Sequence, residues 1–234
     1  MPAIPGVVAS TKEDNVNNYP ITRFLVVGGG SGNLGGGAGG FIDTSGSLSA
    51  GSYSVTVGKY TSDSNGGNSV FNTSTALGGG NGGSGSSGSG DGSQTATGNS
   101  GTSGQGNSGG GGNISAKGGG GGAGAAGNAG YGSGTSANGG AGGAGKTSDI
   151  NGTNTYYSAG GGGFGPTFGN NGTGWSGAGY GMGRGSAAGT NGIVILAIRD
   201  YYGSYSSSGL AVSKTSNGAW TILTVTSGNG TITI

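Results

Sequence analysis

Phe24-Leu25-Val26-Val27-Gly28-Gly29-Gly30 decides how this chain is read, because an apolar strand passes without a linker into glycine. The full segment Ile21-Thr22-Arg23-Phe24-Leu25-Val26-Val27 is β-branched and aromatic and is bounded by Pro20 and Gly28, which predicts a strand with at least Leu25 to Val27 buried. Ser52-Tyr53-Ser54-Val55-Thr56-Val57 alternates polar with apolar and stops at Gly58, the pattern of a half-buried strand. Ile193-Val194-Ile195-Leu196-Ala197-Ile198 is the most apolar stretch and predicts a central strand. Beyond a Tyr- and Ser-rich connection, Ala219-Trp220-Thr221-Ile222-Leu223-Thr224-Val225 and Thr231-Ile232-Thr233-Ile234 flank Ser227-Gly228-Asn229-Gly230 and read as a hairpin. No segment sustains a 3.6-residue apolar period, so essentially no α-helix is expected.

Between the strands lie runs made mostly of glycine, at residues 28–40, 78–90, 109–127, 139–145, 159–165 and 177–192. Glycine does not recur at every third position and Pro is scarce, which excludes collagen. A left-handed, three-residue helix of the polyproline II type is open to glycine, and its N–H and C=O groups point outward. With hydrogen atoms for side chains, several such helices can approach until they bond one another. The predicted fold is therefore mainly irregular and β: a polyglycine II helix bundle, or sandwich, capped by short strands. Ordering glycine is entropically expensive, so many bonds at about 0.5–1.5 kcal/mol each must act together with the apolar strands.

Composition points the same way. Of 234 residues, 68 are Gly and only 29% are hydrophobic, too few for an ordinary side-chain core. Taken alone, so much glycine without a triplet period is the signature of low complexity, but the strands at both ends of the glycine region count against disorder. Eight basic and seven acidic residues create no strong field, so no nucleic-acid partner is expected. Cys and His are absent, which removes disulfides, thiolate metal sites and His-based catalysis. The first ten residues lack a basic start and a long apolar stretch, and the longest aliphatic run is Ile193 to Ile198, so no membrane insertion is expected.

The ordered set of Phe24 to Gly30, Gly51-Ser52-Tyr53-Ser54-Val55-Thr56-Val57-Gly58, Asn68-Ser69-Val70-Phe71, the Gly-Ala runs and Gly192-Ile193-Val194-Ile195 resembles the glycine-rich domain of bacteriophage tail-fibre and other virion proteins, including the tip adhesins of T-even-like phages. The resemblance covers roughly residues 21–198. It implies stacked polyglycine II helices whose connecting loops at the far end contact a host cell-surface receptor, in a virion protein that also meets other fibre subunits. Residues 1–20 form an N-terminal arm in this reading, residues 21–198 the glycine-rich domain, and residues 199–234 a C-terminal hairpin or attachment segment. Only residues 1–20 precede the first strand, which leaves little room for the fibre-attachment domain of the T-even-like adhesins.

If the runs alternate in direction, the strands before Gly28 and after Gly192 meet at one end, where Val26, Val27, Ile193, Val194 and Ile195 pair as a cap. Loops within 41–77, 128–138 and 166–176 then share the opposite end, and 91–108 and 146–158 sit with the strands. Asn113-Ile114-Ser115-Ala116-Lys117 is the ambiguous stretch, since a turn there splits one run and inverts later assignments. The receptor-binding candidates are Tyr60, Asn65, Asn68, Tyr131, Phe164, Phe168, Asn170, Trp175, Tyr180 and Arg184. Aromatic rings and Arg supply contact area at low entropy cost, and Asn supplies adaptable hydrogen bonds. For Phe164, Phe168, Trp175 and Tyr180, packing flat against glycine surfaces is the competing reading and the favoured one. Tyr201, Tyr202 and Tyr205 read as a subunit interface or as strand packing.

Gly140-Ala141-Gly142-Gly143-Ala144-Gly145-Lys146-Thr147 matches the phosphate-binding loop pattern, but that mechanism needs a buried strand before it and a helix after it. Neither is expected here, and a glycine-rich chain produces such matches freely. Asp43, Asp63, Asp91 and Asp149 each lack a neighbouring acid at calcium-loop spacing, and Glu13-Asp14 lies in the arm, so no metal and no cofactor are expected. The expected function is that of a non-enzymatic phage adhesin. A purely structural virion or filament subunit is the first alternative and an ice-binding protein the second. The latter needs a flat regular face that the aromatic loops do not suggest.

Overall fold

The computed structural model describes residues 21–32, 35–81, 97–174, 176–183, 188–199 and 205–234. The fold is essentially all-β. Among the described residues there is no α-helix, only a 3-10 turn at Gly134–Ser136, and no helix is long and apolar enough to cross a membrane. The strands are β1 (Ile21–Val27), β2 (Phe41–Ser47), β3 (Ser52–Thr56), β4 (Ser69–Phe71), β5 (Ser74–Ala76), β6 (Lys146–Ser148), β7 (Thr155–Tyr157), β8 (Ile193–Arg199), β9 (Ser206–Asn217) and β10 (Trp220–Thr233).

All but β6 and β7, which pair with each other, belong to one sheet of order β2-β1-β8-β10-β3-β4-β5, with β9 on the other edge of β10. Long β10 is the hinge of this arrangement. Its first half pairs with β8 (Trp220 with Arg199 through Val225 with Val194) and its second half with β3 (Asn229 with Thr56 through Thr233 with Ser52). The sheet curls until β1, β2 and β8 lie against β4 and β5, giving a nearly closed, barrel-like form.

Period-2 alternation sorts the apolar residues onto two faces. Val26, Val55, Phe71, Val194, Leu196, Ile198, Leu223, Val225 and Ile232 fill the inside of the curl. Leu25, Val27, Ile195, Ala197 and Ile222 face the other way and meet Phe41, Ile150 and Tyr157. Strands β1 and β8 are thus buried on both sides, which explains why Leu25-Val26-Val27 and Val194-Ile195-Leu196 are continuously apolar.

The expected strands at 21–27, 52–57 and 193–198 are present, and β1 pairs with β8 as a cap, Val26 opposite Val194 and Val27 opposite Ile193. The C-terminal hairpin is different from the one read in the sequence. Ser227 to Gly230 is not its turn; β10 runs through those residues, and the irregularity is absorbed as register shifts against β9 between Val225 and Ser227 and between Gly228 and Thr231. The true hairpin joins β9 to β10 through Gly218-Ala219, with Asn217 opposite Trp220. Gly218 has φ +60 while Ala219 does not enter the left-handed region, the pattern of a type II′ turn. Residues 206–233 are therefore part of the main sheet.

Outside the strands, glycine segments lie side by side and are bonded to segments distant in sequence. Gly29 donates to Gly67 (2.9 Å), Gly36 to Met182 (3.0 Å), Gly110 to Gly119 (2.8 Å), Gly120 to Gly161 (2.8 Å) and Gly143 to Gly120 (2.8 Å). Few of these glycines need a left-handed backbone; they are glycine for want of room. A Cβ on Gly30 would fall against the Tyr180 carbonyl, one on Gly119 against that of Ala141, and one on Gly160 against that of Gly120.

The runs fold back more often than the sequence suggests. Residues 28–31 and 37–40 run antiparallel, since Gly28 donates to Gly40 and Ser31 to Gly37. Residues 109–127 contain two reversals, one where Asn113 and Ala116 bond each other and one where Gly122 donates to Ala125. The second reversal cancels the first, so the segments around 128–138, 139–145, 146–158 and 159–165 keep the directions expected from simple alternation. Simple alternation fails elsewhere: the fold-back of 28–40 returns the chain to the sheet as β2, and 177–192 also doubles back, Gly179 donating to Asn191 and Thr190 to Tyr180. Turns at 61–65, 113–116, 131–138 and 164–168 lie at the end away from the sheet, and those at 102–105, 123–125, 149–154 and 173–178 lie at the sheet end. The loop within 166–176 was expected wholly at the far end; the bond from Gly145 to Thr173 and the packing of Ala178 against the cluster of Leu25 and Val27 place Thr173 and Ala178 with the sheet.

Candidate functional site

Three of the far-end turns are joined into one surface. Asn113 organises the first: its Oδ1 accepts from the backbone N–H groups of Ser115 and Ala116 (2.9 Å each), and its Nδ2 donates to the Gly132 carbonyl in the second turn (2.8 Å). The second turn closes through reciprocal bonds between Tyr131 and Asn138 (3.0 and 2.8 Å). It is tied to the third by Thr167 donating to Ala137 (3.1 Å) and Gly139 donating to Thr167 (2.7 Å). Lys117, just after the first turn, donates to the Phe164 carbonyl (2.7 Å), closing the set. Glycine permits the tight second turn, where Gly132 and Gly134 have φ of +83 and +53.

This frame holds apolar side chains in water. Ile114 is 88% exposed, Tyr131 65%, Phe164 42% and Phe168 39%, and the two phenylalanine rings meet edge to face at 5.7 Å. The other large exposed apolar side chain among the described residues, Tyr156, is at the opposite end beside Gly174. No residue of 113–116, 131–138 or 164–168 is charged; the surface is aromatic and aliphatic, rimmed by Asn, Ser and Thr. The two phenylalanine rings touch, and Ile114 and Tyr131 are exposed on the turns bonded to theirs.

Of the residues nominated from the sequence, Tyr131, Phe164 and Phe168 belong to this surface, and Asn170 is exposed just beyond it. Tyr60 and Asn65 flank the turn at 61–65 at the same end but are half-buried and engaged in structure. The Tyr60 backbone N–H donates to Asn191 Oδ1 (2.8 Å) and its hydroxyl donates to Met182 Sδ (3.4 Å), while Asn65 Oδ1 accepts from the Asn81 N–H (2.8 Å). Asn68 Oδ1 likewise accepts from the Gly78 N–H (2.9 Å), next to β4 and away from the tip. Tyr180 is 1% exposed, with its ring enclosed among glycine segments, and burial pushes its phenol pKa well up. The packing use of aromatics, and not contact, is the one realised there. Trp175 and Arg184 lie outside the described residues, as do Tyr201 and Tyr202, whereas Tyr205 packs against the sheet core.

Ile114 was missed. The available signal was a lone branched aliphatic residue in Asn113-Ile114-Ser115-Ala116-Lys117, a turn with no core face to receive it.

A second polar cluster lies at the sheet end. Arg23 on β1 forms a two-pronged pair with Asp43 on β2 (Nε to Oδ1 2.9 Å, Nη2 to Oδ2 2.7 Å) and reaches Asp149 in the turn after β6. The guanidinium holds the Asp149 carboxyl below its ordinary range. Lys146, over the Phe41 ring at 5.3 Å, borders the same open cleft. The stretch Gly140 to Thr147 that spells a phosphate-binding loop ends here on β6, with a turn and not a helix beyond. Its N–H groups are spent within the protein, Gly140 on Lys117 (3.0 Å), Gly142 on Asn170 (2.8 Å) and Gly143 on Gly120 (2.8 Å). Among the described residues no group of three or more His, Cys, Asp or Glu could hold a metal ion.

No protein-family model matches the chain, and no curated protein or solved structure does so either.

Proposed function

We propose that this chain is a phage virion adhesin in which a polyglycine II sandwich carries uncharged loops to a host cell-surface receptor. The observation that carries the reading is the segregation of Ile114, Tyr131, Phe164 and Phe168 onto three hydrogen-bonded turns at the end away from the sheet. Support for the polyglycine II form comes from glycine segments that bond to neighbours in several directions, with spacing too close for any Cβ. The order of strand and glycine motifs that resembles virion tail-fibre domains supplies the virion setting, and fibre subunits are the further partners it implies.

In this mechanism the glycine body acts by rigidity. A loop fixed at both ends by a dense backbone network loses little further freedom on binding, so its aromatic groups act as preorganised anchors. Binding is non-covalent, with no catalytic step, and with no charge on the three turns it depends little on salt. The test is exchange of the turns at 131–138 and 164–168 for those of another such protein in an assembled phage. Altered host range with normal folding is the expected result; unchanged adsorption after both exchanges contradicts the reading.

A further inference from the structure

We infer that β9 is a self-association edge, at which a second copy of this chain adds an antiparallel strand. Among the described residues β9 pairs with β10 alone, which leaves one side of a twelve-residue strand with its backbone groups directed outward. Such edges are ordinarily blunted by Pro, by several charges, by bulges or by a covering element. Here Ser206 to Asn217 contains no Pro and a single charge, Lys214. The left-handed Gly209 and both register shifts against β10 fall before Val212, and residues 212–217 pair with 220–225 in unbroken register, so only the second part is a regular edge.

Two further observations point to a second copy as the occupant. Leu210, Val212 and Tyr205 pack against the inner core but remain only partly buried, so the core is left open along β9. An added strand covers that rim. Identical strands satisfy one another when related by a two-fold axis, because antiparallel pairing makes the edge its own complement. An axis at Ser213 places Lys214 opposite Val212 of the second copy and Ala211 opposite Thr215, so that no like charges face each other. The chain's net charge of +1 adds little repulsion between copies. The pairing also leaves the turns bearing Ile114, Tyr131, Phe164 and Phe168 uncovered, since these lie at the end away from the sheet.

The experiment is sedimentation velocity on the full chain across a concentration series, with Ser213→Glu and Ser213→Lys compared alone and mixed. Ser213 is exposed, and unchanged thermal melts establish that both variants fold. The unmodified chain is expected to dimerise. Each variant alone sets like charges opposite each other and weakens the dimer roughly tenfold, and the equimolar mixture restores it. Amide exchange on the unmodified chain provides a second readout, with β9 amides gaining protection as concentration rises. A chain that stays monomeric throughout overturns the inference. So does a dimer that neither variant weakens, or a mixture that fails to recover.

Discussion

Gly120 and Gly36 come from segments far apart in sequence, yet a Cβ built on Gly120 would strike the Gly36 carbonyl oxygen. On the same residue the N–H donates to Gly161 at 2.8 Å and the carbonyl accepts from Gly143 at 2.8 Å. One glycine thus touches three other segments, and its backbone does the work that a Leu side chain does in an ordinary core. The obstacle is backbone that is itself hydrogen-bonded, so it cannot step aside as a flexible side chain can. Gly120→Ala is expected to destabilise the chain by about 1–3 kcal/mol or more, the range for overpacking. Gly51→Ala, where nothing lies within 4 Å, is expected to stay within about 0.5 kcal/mol of the parent. Denaturant titration of the two variants checks the contrast.

Gly218 needs glycine for the opposite reason. Space around it is open, but its φ of +60 at the β9–β10 turn is unfavourable for residues with a side chain. Gly218→Val is expected to cost about 1–2 kcal/mol through the backbone alone, and Gly218→Asn distinctly less, because Asn tolerates that region. Thermal unfolding of both variants separates conformational cost from crowding.

Arg23 ties β1 to β2 and to the turn containing Asp149, and this connection is acid-sensitive. The Asp149 pKa is lower in the folded chain than its ordinary 3.8. Its contribution is therefore complete above that value and is lost as pH falls through the lower folded value. Melting temperature is expected to decline below about pH 4 more steeply in the parent than in Asp149→Asn, whose plateau value is slightly lower. Parallel melting curves for the two across the acid range contradict this assignment.

The strands were legible because burial on two faces leaves continuous apolar runs such as Leu25-Val26-Val27, and the cap of β1 on β8 followed from them. β2 was not legible. Its residues after Ile42 are Asp43-Thr44-Ser45-Gly46-Ser47, polar and largely exposed, and they are held as a strand by register with β1. β10 was misdivided because Gly228-Asn229-Gly230 has turn chemistry, which pairing with β3 and β9 overrides through register shifts. Within the glycine runs, turns such as Gly122-Ala123-Gly124-Ala125 leave no distinctive sequence mark, since they carry no Pro, Asn or Asp and use the same Gly and Ala as the straight segment at 139–145. At the tip, exposed Phe164 and enclosed Tyr180 look alike in the sequence. Which ring faces water is decided by which segments stack beside it, and backbone contacts between distant glycines set that stacking.

The most direct measurement is binding of the purified chain to host cells, comparing the parent with the combined change of Ile114, Tyr131, Phe164 and Phe168 to Ala. Tyr156→Ala, an exposed ring at the sheet end, serves as the control. The expected result is a loss of binding of roughly tenfold or more for the tip variant, none for the control, and nearly unchanged melting for both. Equal binding by the parent and a folded tip variant would contradict the account.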